Sequence, residues 1–206
     1  MSVGTESRLH VVYPDSRGWD GARQAWNLAA DQQPEAVAFP ESVAEVIAAV
    51  ELARSRGWRI APQGTGHGAM ALGPLAGTML LKTERMRGVL VDPEARIARV
   101  EAGTLWQDVT LAAARHGLAA LAGSSPDVGV VGYTLGGGLS FLGRKLGLGA
   151  NSVVAIELVT ADGRPMRVDR DSEPDLFWAL RGGGGGFAIV TALELRLFPL
   201  AEVYAG

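Results

Sequence analysis

The sequence contains no cysteine. That excludes disulfides, thiolate metal sites, iron–sulfur clusters and cysteine nucleophiles. Histidine is scarce as well. His10, His67 and His116 are the only three, none at the four-residue helical spacing of a zinc site, so no metal site is expected. No apolar run approaches the roughly 20 residues needed to cross a bilayer. The opening residues lack the uninterrupted apolar core of a signal peptide, and a cytoplasmic location is expected. The formal net charge is -3, with Lys and Arg scattered along the chain. Neither nucleic acid nor an anionic membrane is therefore expected as a partner. Any anionic ligand must be held by backbone dipoles or by a few local cations.

With 206 residues, 48% of them hydrophobic, the chain can bury the core of one large domain or two small ones. Glycine is in excess, at 28 residues against a usual share of about 7%. It concentrates in residues 64–77, in residues 129–149 and in "RGGGGGF" at 181–187. Glycine set between apolar, patterned segments indicates backbone that approaches something closely or adopts positive φ.

The patterned segments predict a mixed chain. "DGARQAWNLAA" at 20–30 reads as a short helix and "AVAF" at 36–39 as a strand. Ser42 and Glu45 form a capping box for a helix with Val43, Val46, Ile47 and Val50 on one face and Gly57 as its stop. "RIAP" at 59–62 reads as a strand running into the first glycine loop. "TMLLK" (78–82), "GVLVD" (88–92) and "ARIARVEA" (95–102) read as neighbouring strands of one sheet, the last alternating Ile97 and small partners against Arg96 and Arg99. Thr104 and Gln107 suggest a second capping box for a helix to about His116, with Gly117 in the left-handed position beyond it. His116 has a plain explanation at the negative end of that helix. Residues 152–168 read as a hairpin about Asp162-Gly163, Ser172 as the cap of a helix through Leu180, and 187–200 as a half-buried strand. Two such blocks, joined near residues 103–106, predict an α+β architecture and not a parallel doubly wound sheet.

The glycine stretches are informative together. Gly64, Gly66 and Gly68 follow a strand but miss the dinucleotide G-x-G-x-x-G spacing, and no amphipathic crossover helix follows. A phosphate loop of the Walker type also fails, because Gly138 to Lys145 ends in Arg-Lys without a following Ser or Thr. What remains is a bend whose bare amides can nest phosphate oxygens, with His67 either bonded to a neighbouring carbonyl or serving a ligand. In "SSPDVGVVGYTLGGG" at 124–138, an Asp127 cap would set Gly129, Gly132 and Gly136 on one helix face. Such a face costs roughly 1 kcal/mol per residue against alanine and offers a smooth wall for a flat ring or for another backbone. Gly182–Gly186 reads as a hinge or a loop of close approach. Three clusters together fit a large, planar, anionic ligand better than packing alone.

The ordered motifs "QGTGHG" (63–68), "VEAGTLW" (100–106), "SPDVGVVGYTLGGG" (125–138), "RKLGLGANSVVAIELVTADG" (144–163) and "FWALRGGGGGFAIVT" (177–191) resemble the FAD-binding domain of the vanillyl-alcohol oxidase superfamily. The likeness is greatest to berberine-bridge-enzyme-like oxidoreductases. It implies an FAD-binding PCMH-type domain over 33–203, after an N-terminal extension with a short helix at 1–32. Its two α+β subdomains, about 33–104 and 105–203, would hold FAD between them. The pyrophosphate would rest on the amides of Gln63, Gly64, Thr65, Gly66, His67 and Gly68. From the second stretch Ser124, Ser125, Val128, Gly129, Gly132, Tyr133, Gly136 and Gly137 would contact the cofactor, and from the last strand Ile189. Tyr133 would lie near the flavin or serve as a packed aromatic.

In that family the histidine matching His67 is often bonded to the flavin 8α carbon, a step that needs a neutral imidazole as nucleophile. Ser125 occupies the position of a cysteine that bonds flavin C6 in many relatives, so a cysteinyl link is excluded here. Departures from the pattern occur at Gln63, Gly186 and Ala188. The family's C-terminal domain, which supplies the substrate pocket and the catalytic base, has no counterpart in this sequence, and no catalytic residue is assigned. The implied activity is that of a flavin-dependent oxidase, passing a hydride from a small-molecule C–H bond to flavin N5, with dioxygen as the final acceptor. The alternatives are a non-catalytic flavin-binding module, or half of a split enzyme completed by a partner chain, and a flavin reductase using a nicotinamide cofactor.

Overall fold

The computed structural model describes residues 9–200 and residue 202. The first eight residues of the expected extension, and residue 203 at the expected domain end, lie outside them. The elements run in the order β1 (His10–Val12), α1 (Trp19–Arg23), β2 (Ala36–Phe39), α2 (Val43–Arg56), β3 (Arg59–Gln63), β4 (Thr78–Lys82), β5 (Val89–Asp92) and β6 (Ile97–Glu101). There follow α3 (Trp106–Ala114), β7 (Leu118–Ala119), α4 (Val130–Leu135), α5 (Gly143–Leu146), β8 (Val153–Val159), β9 (Pro165–Asp169), α6 (Pro174–Gly183), β10 (Ile189–Arg196) and β11 (Phe198–Pro199).

The strands form an α+β arrangement, as the pattern predicts. One sheet has the order β1-β2-β4-β3, and a second, fully antiparallel sheet has the order β5-β6-β10-β8-β9. In the first sheet β2 and β3 both pair parallel to β4. Strands β2 and β4 are buried on both faces, which suits apolar runs without alternation. Ala38, Met79 and Leu81 face helix α2, while Val37, Phe39 and Leu80 pack on the opposite side with Ala61 and Leu75. Val46, Ala49, Val50 and Ala53 of α2 share their core with Val159 and Ile189 of the second sheet, so α2 is wedged between the two sheets. The larger core lies under the second sheet, where Ile156, Leu158, Leu193 and Leu195 meet Trp106, Val109, Phe177 and Leu180 of the helices.

Several local expectations are corrected. "TMLLK" belongs to the first sheet and "GVLVD" and "ARIARVEA" to the second, so the three do not share one sheet; the sheets change between Lys82 and Val89. Alternation reports which face a residue occupies and not which strand lies beside it. In β6 the buried residues are Ala98 and Val100, and Ile97 shares the other face with Arg99. The helix expected over 20–30 stops at Arg23, because the Gln24 carbonyl and the Trp26 amide are taken by Lys82 and Thr65. Helix α3 starts at Trp106. Thr104 sends its hydroxyl to the Gly88 carbonyl, and the Asp108 carboxylate takes the Leu105 N–H. Ser172 does not cap α6, which begins at Pro174, a residue preset for a first helical turn. The final strand β10 is buried on both faces over Ile189–Leu193 instead of half-buried.

Helix α2 follows its sequence signals closely. Ser42 Oγ accepts the Glu45 N–H at 3.3 Å, and Gly57 ends the helix at φ 68 with its N–H on the Ala53 and Arg54 carbonyls. The reciprocal half of the box is shifted by one residue, since Glu45 Oε2 accepts from the Glu41 N–H at 2.8 Å. Gly117 likewise adopts φ 65 beyond α3, and Gly163 turns the β8–β9 hairpin at φ 85.

Candidate functional site

Strand β3 ends at Gln63 and delivers the bare loop 64–68 between the two sheets. Two strands are bonded to its root: the Thr83 amide donates to the Gln63 carbonyl at 3.0 Å, and the Thr83 hydroxyl donates to the Ala102 carbonyl at 3.1 Å. Beside this junction lies a cavity of about 160 Å³ walled by all three glycine stretches, through Gln63 and Gly64, Gly132 and Gly136, and Gly184 and Gly185. Ala102, Ala188 and Val190 complete a wall of small side chains. A second cavity of about 300 Å³ shares Pro62, Gly185 and Ala188 with the first. Val50, Ala53, Trp58, Ile60, Val159 and Ile189 give it an apolar lining.

Gly132 decides between packing and ligand binding. It sits inside α4, where glycine costs about 1 kcal/mol against alanine, yet a Cβ built on it meets no atom within 4 Å. Close helix packing therefore does not require it. Gln63 points the same way: it is 6% exposed, and both its amide oxygen and its amide nitrogen lack a hydrogen-bond partner. A buried unpaired amide is costly unless a ligand or water completes it. A bare wall, an unpaired donor and acceptor, and an adjoining apolar chamber suit a nucleotide with a flat ring system. The chain's chemistry fits FAD.

The other predicted site residues divide into groups. Gly129 lies against Thr65, 3.7 Å from its Cγ2 to a built Cβ, so the first two glycine stretches touch. Gly129 and Gly136 flank α4 as its caps; they do not extend a glycine face along it. Asp127 is not the helix cap. Its carboxylate accepts from Ser125 Oγ at 2.6 Å and from Trp26 Nε1 at 3.0 Å. Those donors, the Ser125 hydroxyl first, hold its pKa below the ordinary carboxylate value. The Val128 carbonyl accepts the Trp106 N–H. Of the predicted residues, Gln63, Gly64, Gly132, Gly136 and Ile189 line these two cavities; Thr65, Gly66, His67, Gly68, Ser124, Ser125, Val128, Gly129, Tyr133 and Gly137 line neither.

Tyr133 has the contacts of a packed aromatic, while its hydroxyl is buried without a hydrogen-bond partner. Its ring meets Trp106 edge-on at 5.3 Å and lies over Gly138, where any Cβ would come within 2.5 Å of it. Burial pushes its phenol pKa up.

His67 is not bonded to a backbone carbonyl in the described structure. Its Nδ1 is 2.8 Å from Thr65 Oγ1, and its ring stacks on the Trp26 indole with centroids 4.0 Å apart and 17° between planes. The sequence reading missed Trp26, since a helix over 20–30 offers no reason for that residue to face the loop. It missed Lys82 as well. That ammonium is buried, its pKa is lowered by burial, and it donates to the Gln24 carbonyl at 2.8 Å. Arg85 and Arg87, near Gly64 and Thr65 at a third opening, are already paired with Glu41 and Asp108.

Comparison with known proteins agrees with this geometry. Residues 34–169 match the family described as FAD binding domain. Glucooligosaccharide oxidase of Sarocladium strictum is 38% identical over 192 residues, covering 92% of this chain and 38% of its own length. (R)-6-hydroxynicotine oxidase of Paenarthrobacter nicotinovorans is 34% identical over 190 residues, covering 92% and 42%. This chain thus spans about two fifths of those relatives. Among solved structures, 6-hydroxy-D-nicotine oxidase from Arthrobacter nicotinovorans superposes with a TM-score of 0.85 at 34% identity, over 92% of this chain and 42% of that one. Glucooligosaccharide oxidase from Acremonium strictum, described with a 6-S-cysteinyl, 8α-N1-histidyl FAD, gives 0.85 at 36% identity, over 92% and 40%. Ordered motifs, the convergence of the glycine stretches and the extent of these matches lead to one assignment: the chain belongs to the FAD-binding-domain family of FAD-linked oxidoreductases, within the vanillyl-alcohol oxidase superfamily.

Proposed function

We propose that this chain is the cofactor-holding part of an FAD-linked oxidase and that His67 carries the flavin covalently. The observation that carries the reading is the cavity where three glycine stretches, distant in sequence, meet the unpaired Gln63 amide. Gln63 and Gly64 would hold the pyrophosphate together with the amides of the following loop. Gly132 and Gly136 would admit the ring system, and the apolar chamber beside Ile189 would take the other end. Bound FAD would supply a hydride acceptor at N5 that dioxygen reoxidises; the chain's residues would bind it, orient it and keep water from its buried edge. The domain would run over 33–203, in a cytoplasmic protein.

The named relatives act on a glucooligosaccharide and on 6-hydroxynicotine, and a small-molecule C–H or alcohol donor is the substrate class proposed here. The substrate pocket and catalytic base would come from polypeptide outside these residues. Leu139, Phe141 and Leu148 favour a second reading, a flavin module completed by a partner. They are strongly exposed apolar side chains on one segment beside α5, and Phe141 is 86% exposed. Purified protein that is yellow, and a His67→Ala variant that binds FAD but releases all of it on denaturation, is the expected result. Colourless protein that takes up no FAD would overturn both readings.

A further inference from the structure

Residues 24–26 precede the segment that matches the family, yet three contacts tie them to the His67 loop and two more anchor them to Lys82 and Asp127. The Gln24 carbonyl accepts from Lys82 Nζ at 2.8 Å. The Ala25 methyl, 3% exposed, fills the space over Gly66, where any Cβ would approach it to 2.8 Å. The Trp26 amide donates to the Thr65 carbonyl at 3.0 Å, and its indole N–H donates to Asp127 Oδ2 at 3.0 Å. The indole face then covers the His67 imidazole at 4.0 Å.

We propose that Trp26 is a positioning residue for attachment of the flavin to His67. This rests on the reading that His67 carries the cofactor. An imidazole among glycines has nothing else to fix its two side-chain torsions; here Thr65 holds one edge through Nδ1 and Trp26 holds one face. Asp127 fixes the indole in turn, and Ser125 fixes Asp127, so the residue at the cysteine position of relatives belongs to the same chain of contacts. A ring held in this way presents its nitrogens in a narrow range of directions, and nucleophilic attack is steeply sensitive to that geometry.

Attachment forms one bond between an imidazole nitrogen and the 8-methyl carbon. One proton leaves that methyl and one leaves the imidazole. The two electrons released pass through the ring to dioxygen, which takes up both protons and departs as hydrogen peroxide.

The test compares wild type, Trp26→Ala, Trp26→Leu and Trp26→Phe. Each apoprotein is mixed with FAD in air, and two quantities are followed: FAD affinity, from quenching of flavin fluorescence, and the covalent fraction with time, from intact mass after acid denaturation. Trp26→Ala and Trp26→Leu are expected to bind FAD with nearly wild-type affinity but to attach it roughly a hundredfold more slowly. Trp26→Phe, which retains an aromatic face, is expected to recover most of the rate. Should the alanine variant fail to fold, the leucine variant carries the comparison. Attachment at the wild-type rate or faster in the leucine variant overturns the role of Trp26 alone. Wild type that binds FAD and never attaches it overturns the reading of His67 as well.

Discussion

At Gly66 the backbone stands at φ 85, and a side chain there would collide with Ala25 Cβ at 2.8 Å and with Ala25 Cα at 3.1 Å. The first condition favours glycine for torsional reasons and the second demands it for space. A Gly66→Ala variant is therefore expected to lose about 2–4 kcal/mol of stability, from added backbone strain and overpacking. Urea unfolding measures this, and a loss under about 0.5 kcal/mol, the range of a neutral surface change, would contradict it. The same crowding explains why residues 24–26 cannot be lifted from the loop without disturbing His67. In the sequence the glycine at 66 and the histidine at 67 are both legible as a special site. Trp26 is not, because its partner lies 41 residues away and only the folded chain brings them together.

The elements most legible in the sequence were those whose signals are local. Helix α2 carries its start at Ser42 and its stop at Gly57, and the β8–β9 hairpin carries its turn at Gly163. Illegible were the places where tertiary hydrogen bonds displaced a local preference, as at Gln24, Thr104 and Asp127. Strand partners are equally hidden, so the pattern sets β4 beside β5 and β6 while the fold sets it between β2 and β3. The second sheet shows what pattern alone does predict: one face is apolar, and the other carries Arg99 bonded to Glu157 at 2.6 Å and Arg167 bonded to Glu194 at 3.0 Å. Hydrogen bonding from Arg99 lowers the Glu157 pKa in the folded state. The stabilisation is thus complete above the unfolded carboxyl value of about 4.3 and is lost as pH falls through the lower, folded value. Glu157→Gln is expected to flatten the acid side of the stability profile. Urea midpoints measured from about pH 7 to about pH 3 report it, and an unchanged slope would contradict it.

On the scale of the whole molecule, the two sheets meet through α2, and the cavities open where they meet. A ligand spanning that junction touches the end of β3, α4 and the start of β10 together, and so should stabilise both halves as one unit. For a His67→Ala variant, where binding is reversible, FAD at a hundredfold excess over Kd is expected to add about 2.7 kcal/mol to a single unfolding transition. Two transitions, only one of them moved by FAD, would contradict the bridging arrangement. The fold and the cofactor were legible from the order of the glycine motifs. The substrate was not, since glycine motifs that suit a cofactor carry no signal for the molecule it oxidises. The central claim is that FAD sits in this cleft and is bonded to His67. Intact mass of the denatured wild-type chain, purified after exposure to FAD and air, tests it most directly. A mass increased by one FAD, with the modification mapped to the peptide containing His67, is the predicted result; an unmodified chain beside free flavin would contradict it.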